Sequence, residues 1–179
     1  MIYIFLAEGF EEVEALAPLD ILRRADIPVV TVGVGSKEIT GSHNISVKAD
    51  ISLDEVEIED IDGVILPGGM PGTLNLQADA KVMEYVKYAY DNNKLLGAIC
   101  AAPMILGELG YLSGIEAICF PGFEEHLKGA SISEKGVACV NNIITAKGAG
   151  VALQFGGAIA NYFKEGKGDE ILAQMQYNG

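Results

Sequence analysis

Histidine is scarce in this 179-residue chain, with two copies, and cysteine hardly commoner, with three. Neither His43 nor His126 stands in a metal-ligand spacing, and the scattered cysteines supply none, so no metal site is expected. An odd, sparse cysteine set is not a disulfide framework and points to a reducing compartment. Basic residues are also few. Lys plus Arg number 12 against 25 Asp plus Glu, a formal net charge of −13. That balance argues against nucleic acid as a partner and for a soluble, self-repelling surface. No apolar run reaches the length of a membrane span. The apolar start Ile2–Ala7 has no basic residue before it and runs straight into Glu8, Gly9, Phe10, Glu11 and Glu12, which does not fit a signal peptide. A cytoplasmic protein, intact from Met1 and without a membrane partner, is expected. Repeats, linkers and low-complexity segments are missing. So are the Gly-Lys-Ser/Thr ending of a phosphate loop and a dinucleotide fingerprint after the first strand, and no cofactor is expected.

What remains is an apolar, ordered chain. Apolar residues make up 50% against 21% charged, which excludes disorder, and the length suits one domain over residues 1–179. Short apolar runs alternate with helical periods. Strands are expected at Ile2–Ala7, Val29–Val34, Asp62–Leu66, Leu95–Ile99 and Ile115–Cys119. Helices are expected at Glu11–Ala25, Asp79–Asp91, Ala101–Leu109, Phe123–Leu127, Gly150–Phe163 and Asp169–Gln176. Residues 35–60 are polar and turn-rich, suiting a small hairpin or irregular excursion. Val137–Val140 and Ile143–Ala146 flank Asn141-Asn142 and read as a hairpin. Gly156, Gly157 and Ala158 permit close packing against a sheet or a partner. The alternation implies an α/β domain, a mostly parallel central sheet with helices on both faces, whose sites lie beyond the carboxyl ends of the strands.

Three segments at those strand ends could carry chemistry. In Gly97-Ala98-Ile99-Cys100-Ala101-Ala102-Pro103 a buried strand runs into a thiol and a helix begins at once. This suits a strained elbow that presents a nucleophile. A helix N-terminus lowers a thiol pKa from its ordinary value of roughly 8.5 and offers free amides to an oxyanion. An ordinary buried cysteine is the competing reading, and it is the favoured one for Cys119 and Cys139. In Leu66-Pro67-Gly68-Gly69-Met70-Pro71-Gly72, adjacent glycines let backbone amides face a ligand, or simply make a tight turn. The acidic cluster Glu8, Glu11, Glu12 and Glu14 complements a helix dipole as a solvated cap. Glu14 is the candidate exception. Buried beside a thiolate it would hold its proton and donate a hydrogen bond. His126 reads as a helix-surface residue, and Asp20 with Arg24 as a weak i, i+4 pair.

Taken together, Ala7-Glu8-Gly9-Phe10-Glu11-Glu12-Val13-Glu14, Leu66-Pro67-Gly68-Gly69, Ala98-Ile99-Cys100-Ala101-Ala102-Pro103 and Thr145-Ala146-Lys147-Gly148-Ala149-Gly150 resemble the ThiJ/PfpI superfamily, with the DJ-one branch the nearest. The resemblance covers nearly the whole chain in the same order. It implies a flavodoxin-like three-layer sandwich of the class I glutamine amidotransferase type, and a homodimer with the first helix near its interface, where Asp20 and Arg24 could bridge chains. It implies an oxidation-prone nucleophile at Cys100, a carboxyl partner at Glu14, and an oxyanion pocket from Gly68, Gly69 and Ala101. The implied activities are cofactor-independent conversion of methylglyoxal to lactate, deglycation of early adducts, or redox sensing with chaperone action. Many relatives carry a histidine where this chain has Phe120, although some bacterial members of the branch also lack it, and relatives carry an arginine where it has Lys147, which keeps the charge and loses the bidentate fork. Without that histidine a cysteine peptidase or amidase lacks a base. Phe120, Lys147 and His43 are the accessory candidates.

Overall fold

Successive side chains of a strand point to opposite faces. In β1 (Ile2–Leu6) both sets are apolar and all five residues are buried, so the sheet around it must be covered on both sides. The computed structural model describes residues 1–178; Gly179, the last residue of the expected single domain, lies outside the described residues. Helix α1 (Glu12–Arg24) leads to β2 (Val29–Gly33). The excursion at 35–60 holds the hairpin β3 (Glu38–Thr40) and β4 (Ser46–Lys48), then β5 (Ile51–Ser52) and two single 3-10 turns. Next come β6 (Gly63–Leu66), α2 (Gly72–Ala78), α3 (Ala80–Asp91), β7 (Leu95–Ile99) and α4 (Pro103–Glu108). Last are β8 (Glu116–Ala117), β9 (Ser131–Ile132), β10 (Val137–Val140), β11 (Ile143–Ala146), α5 (Ala152–Phe163) and α6 (Lys167–Gln174).

The seven-stranded sheet runs β10-β11-β7-β6-β1-β2-β5. Every pairing is parallel except the β10–β11 hairpin. Its turn residue Asn141 takes φ 54°, the left-handed conformation that asparagine tolerates best after glycine. Without the two edges, the remaining five strands stand in the order 2-1-3-4-5, the flavodoxin-like winding. The expected α/β sandwich is therefore present.

Tyr3, Phe5 and Ala7 pack on one face with Val64, Leu66, Leu96, Val86 and Ile105; Ile2, Ile4 and Leu6 pack on the other with Ile65, Ile99, Phe155 and Ile159. The small residues of α5 do what their size permits. A Cβ on Gly156 would lie 2.9 Å from the Pro18 Cα, so α1 and α5 meet nearly backbone to backbone. Gly157 leaves room for the Leu172 side chain of α6, whose Cδ1 a Cβ would meet at 2.6 Å.

Two expected elements are shorter than their sequence suggests. Of Ile115–Cys119 only Glu116–Ala117 pairs, with β9 in a separate small sheet. Beyond it the chain bends toward the main sheet, where the Ile118 amide donates to Thr145 Oγ1 at 3.0 Å. The helix expected over Phe123–Leu127 is one 3-10 turn, Glu124–His126. Among the described residues no helix is long and apolar enough to cross a membrane.

Candidate active site

The strand order reverses between β1 and β6, and in such sheets the crevice opens at the carboxyl ends beside that reversal. Three connections meet there. After β1, Gly9 turns with φ +82° and Glu11 caps α1, its carboxylate accepting from the Glu14 amide at 2.7 Å. After β6, the Gly68 carbonyl accepts from the Glu11 amide at 2.9 Å, tying the second loop to the first. The cap fixes the phase of the helix, and Glu14 in its first turn points inward, 1% exposed.

After β7 the chain turns at Cys100 with φ 64°, a conformation that a residue with a Cβ adopts at a cost. Hydrogen bonds on both sides hold it. The Cys100 amide donates to the Ala146 carbonyl at 2.9 Å, and its carbonyl accepts from the Phe120 amide at 2.7 Å. Pro103 opens α4, where its missing amide costs nothing. The elbow read from the sequence is present, strain included, and Cys100 is half-buried at its tip.

Glu14 and Cys100 meet over Gly68. The Gly68 amide donates to Glu14 Oε2 at 2.9 Å. A Cβ at residue 68 would lie 2.6 Å from both the Cys100 Cβ and Glu14 Oε2, so only glycine leaves room for the pair. Gly69, at φ +89°, and Ala101 turn their amides toward the Cys100 sulfur. Of the residues read as a candidate oxyanion pocket, Gly69 and Ala101 lie beside the thiol, whereas the Gly68 amide is engaged by Glu14.

Burial pushes the Glu14 carboxyl up to about 7, aided by the charge of Glu11 and opposed by hydrogen bonds from Cys100 and the Gly68 and Ala149 amides. Burial, then the adjacent Glu14 charge, push the Cys100 thiol up to about 12 against the Gly69 and Ala101 amides. This reverses the expectation of a thiol pKa lowered by the helix N-terminus. Two negative charges cannot sit side by side in a partly desolvated site, so the pair holds at least one proton at neutral pH. The thiolate forms when that proton rests on Glu14.

The accessory candidates divide. The Phe120 ring, 48% exposed, and Lys147 line a largely apolar cavity of about 350 Å³ with Gly148, Ala149 and Val151. His43 is engaged elsewhere. Its Nδ1 lies 2.9 Å from Glu12 Oε2, and its amide donates to Glu12 Oε1 at 2.8 Å. Burial disfavours the Glu12 charge, yet hydrogen bonds from His43 and Ile45 outweigh it and hold the carboxyl below its usual range. The His43 imidazole is raised by its bond to Glu12. Glu12, read as a solvated cap, is therefore buried and anchors the β3–β4 hairpin; nothing in the spacing of the sequence brings His43 to it. With Glu11 these two form a group whose ligating atoms lie within 4.8 Å of one another, already occupied by its own hydrogen bonds. His126 bonds to Glu108 at 2.9 Å, and Asp20 to Arg24 at 2.8 Å within one chain. Cys119 is buried in the core, whereas Cys139, expected to pack, is exposed on the edge strand.

Residues 1–162 match the model of the DJ-1/PfpI family. A Parkinson disease protein 7 homolog of Danio rerio is 33% identical over 178 residues, covering 97% of this chain and 93% of that one. Protein DJ-1 homolog B of Arabidopsis thaliana is 37% identical over 164 residues, 90% of this chain but 37% of its own length. The chain thus spans well under half of that plant relative. A Bacillus subtilis relative, 30% identical over 149 residues and covering 82% of this chain and 88% of its own, bears the provisional name of a cysteine protease. The oxidized structure of Toxoplasma gondii DJ-1 superposes with a TM-score of 0.94 at 30% identity, over 99% of this chain and 98% of the other.

Proposed function

The chain belongs to the DJ-1/PfpI family, and from that premise we propose that it is a cofactor-independent enzyme of the glyoxalase or deglycase type, acting on small α-oxoaldehydes or their early adducts. One observation carries the reading. A strained, half-buried thiol meets a buried carboxyl over Gly68, burial pushes that carboxyl up to about 7, and the Gly69 and Ala101 amides lie beside the sulfur.

The chemistry follows from the proton that the pair holds. Glu14 takes it from the thiol, and the thiolate adds to the aldehyde carbon while the Gly69 and Ala101 amides hold the oxyanion. Glu14 returns the proton to give the hemithioacetal. As a carboxylate it then removes the hydrogen of that carbon and delivers it to the neighbouring carbon, while the hemithioacetal hydroxyl proton passes to the ketone oxygen. The first carbon is oxidised to a thioester and the second reduced to a carbinol, so no external oxidant enters. Water cleaves the thioester, releasing the 2-hydroxy acid and the thiol. The native chain incubated with methylglyoxal and no additive should give lactate, read by proton NMR. Absence of lactate overturns the proposal.

A second reading draws on the same protonated carboxyl. Glu14 can donate a hydrogen bond to an oxidised sulfur, so Cys100 would stop at the sulfinate and serve as a redox sensor. Mild peroxide followed by peptide mass spectrometry should place two oxygens on Cys100 before Cys119 or Cys139 reacts; the reverse order removes this reading. Neither histidine hydrogen-bonds to Cys100, which leaves a peptidase or amidase without a base. We further infer that a second copy covers the exposed Val13 and Ile45 beside Leu16 and Met175 on the α1 side, in a reducing compartment that keeps the three thiols free.

A further inference from the structure

We propose that the preferred substrate is an aromatic α-oxoaldehyde, its ring seated against Phe120 in the cavity that adjoins Gly148, its reacting carbons at Cys100. This rests on the enzymatic reading above and names the substrate class of that site.

The cavity lies beside the reacting pair, with Gly148 and Ala149 between them. A Cβ at Gly148 would lie 3.3 Å from Phe120 Cδ2 and 3.9 Å from Glu14 Oε1, so the ring and the carboxyl border the same gap in the backbone. The Ala149 amide, part of the cavity wall, faces Glu14. Phe120 is fastened to the nucleophile, because its amide donates to the Cys100 carbonyl at 2.7 Å. The Phe120 backbone is therefore held at a fixed offset from the elbow that carries the sulfur.

Size and polarity select the ligand. About 350 Å³ falls at the lower end of the range of roughly 300–1,000 Å³ usual for small-molecule sites. A three-carbon oxoaldehyde leaves most of that space empty, whereas a phenyl substituent, which a cavity of roughly 150 Å³ can hold, occupies a larger share of it beside Phe120, Val151 and Pro121. An exposed aromatic ring facing an apolar cleft gains from an edge or offset-stacked partner. Lys147 is the one charged residue of the lining, and it suits the carboxylate of the departing 2-hydroxy acid. The reaction stays balanced: phenylglyoxal plus water gives mandelic acid, the aldehyde carbon oxidised and the ketone carbon reduced.

The test compares kcat/KM for phenylglyoxal and methylglyoxal. Burial of the ring and its aromatic contact should favour phenylglyoxal by roughly tenfold to a hundredfold in the native chain. In Phe120→Ala the ratio should fall toward one, through KM for phenylglyoxal, and Phe120→Tyr should restore it. A native ratio of one or less, or a ratio untouched by Phe120→Ala, overturns the proposal. Binding separates its failure from failure of the parent reading. If the native chain turns over neither aldehyde, the enzymatic reading falls. NMR titration with mandelate and lactate then decides the aromatic subsite. Tighter binding of mandelate, lost in Phe120→Ala, sustains it, and equal binding overturns it.

Discussion

Replacement of Cys100 by serine is expected to lower kcat/KM for α-oxoaldehydes by about a thousandfold or more, with the fold intact. The two side chains differ by one atom, and the backbone bonds to Ala146 and Phe120 that hold φ 64° do not involve the side chain. The hydroxyl fails for a chemical reason. Glu14, with an affinity near 7, can draw a proton from a thiol whose charge two amides then share; it cannot do so from an alcohol of far higher pKa. Steady-state rates of lactate or mandelate formation, beside a thermal unfolding curve, check this. A serine variant within tenfold of the native rate removes Cys100 from the chemistry.

Glu14→Gln is expected to separate three quantities that move together in most variants. Turnover should fall by about a hundredfold to ten-thousandfold, the usual worth of a positioned acid–base group. The native rise in kcat/KM through about pH 7, as the pair loses its first proton, should disappear. Thiol alkylation near pH 8 should instead speed up, because the Glu14 charge that opposes the thiolate is gone. Stability should change in the opposite sense to activity. A carboxyl held higher in the fold than in the unfolded chain contributes stability that is complete below its ordinary value of 4.5 and lost as pH rises through about 7. Glutamine keeps the oxygen that accepts from Gly68 and carries no charge to bury. The variant should nearly match the native chain at pH 4 and exceed it at pH 8 by up to about 3 kcal/mol, the equivalent of the raised affinity. Tm measured across that range checks the sign, and equal pH profiles for both proteins would refute it.

The sequence made parts of this site readable for local reasons. Cys100 was legible because an all-apolar strand, a thiol and a helix opening at Pro103 leave the chain only a sharp turn between them. Asn141 announced its hairpin by the turn chemistry of asparagine. Gly68 and Gly69 were visible as glycines but not as necessities. That only glycine fits at 68 depends on Cys100 and Glu14 arriving from 32 residues later and 54 earlier. Helix α2 was hidden because Pro71-Gly72 looks like the end of an element, and Leu74 and Leu76 are too few to show a period. The inward turn of Glu12 was illegible because its partner lies in the excursion, 31 residues on. The raised thiol affinity escaped local reading too, since burial and the facing carboxyl are tertiary facts that oppose the local dipole.

The elbow at Cys100 is fastened from behind by the Ala146 carbonyl and the Phe120 amide, and from the front by Gly68 and Glu14. All four lie outside β7 and α4, on other elements or the loops that follow them, and two of them come after Cys100 in the chain. During synthesis the cysteine therefore emerges long before its surroundings exist. A nascent or truncated chain that stops short of Ala146 holds it as an ordinary thiol, with neither the strained turn nor the shared proton. Because such long-range pairings form late, reactivity at this position reports completed folding, and it marks whole molecules rather than fragments.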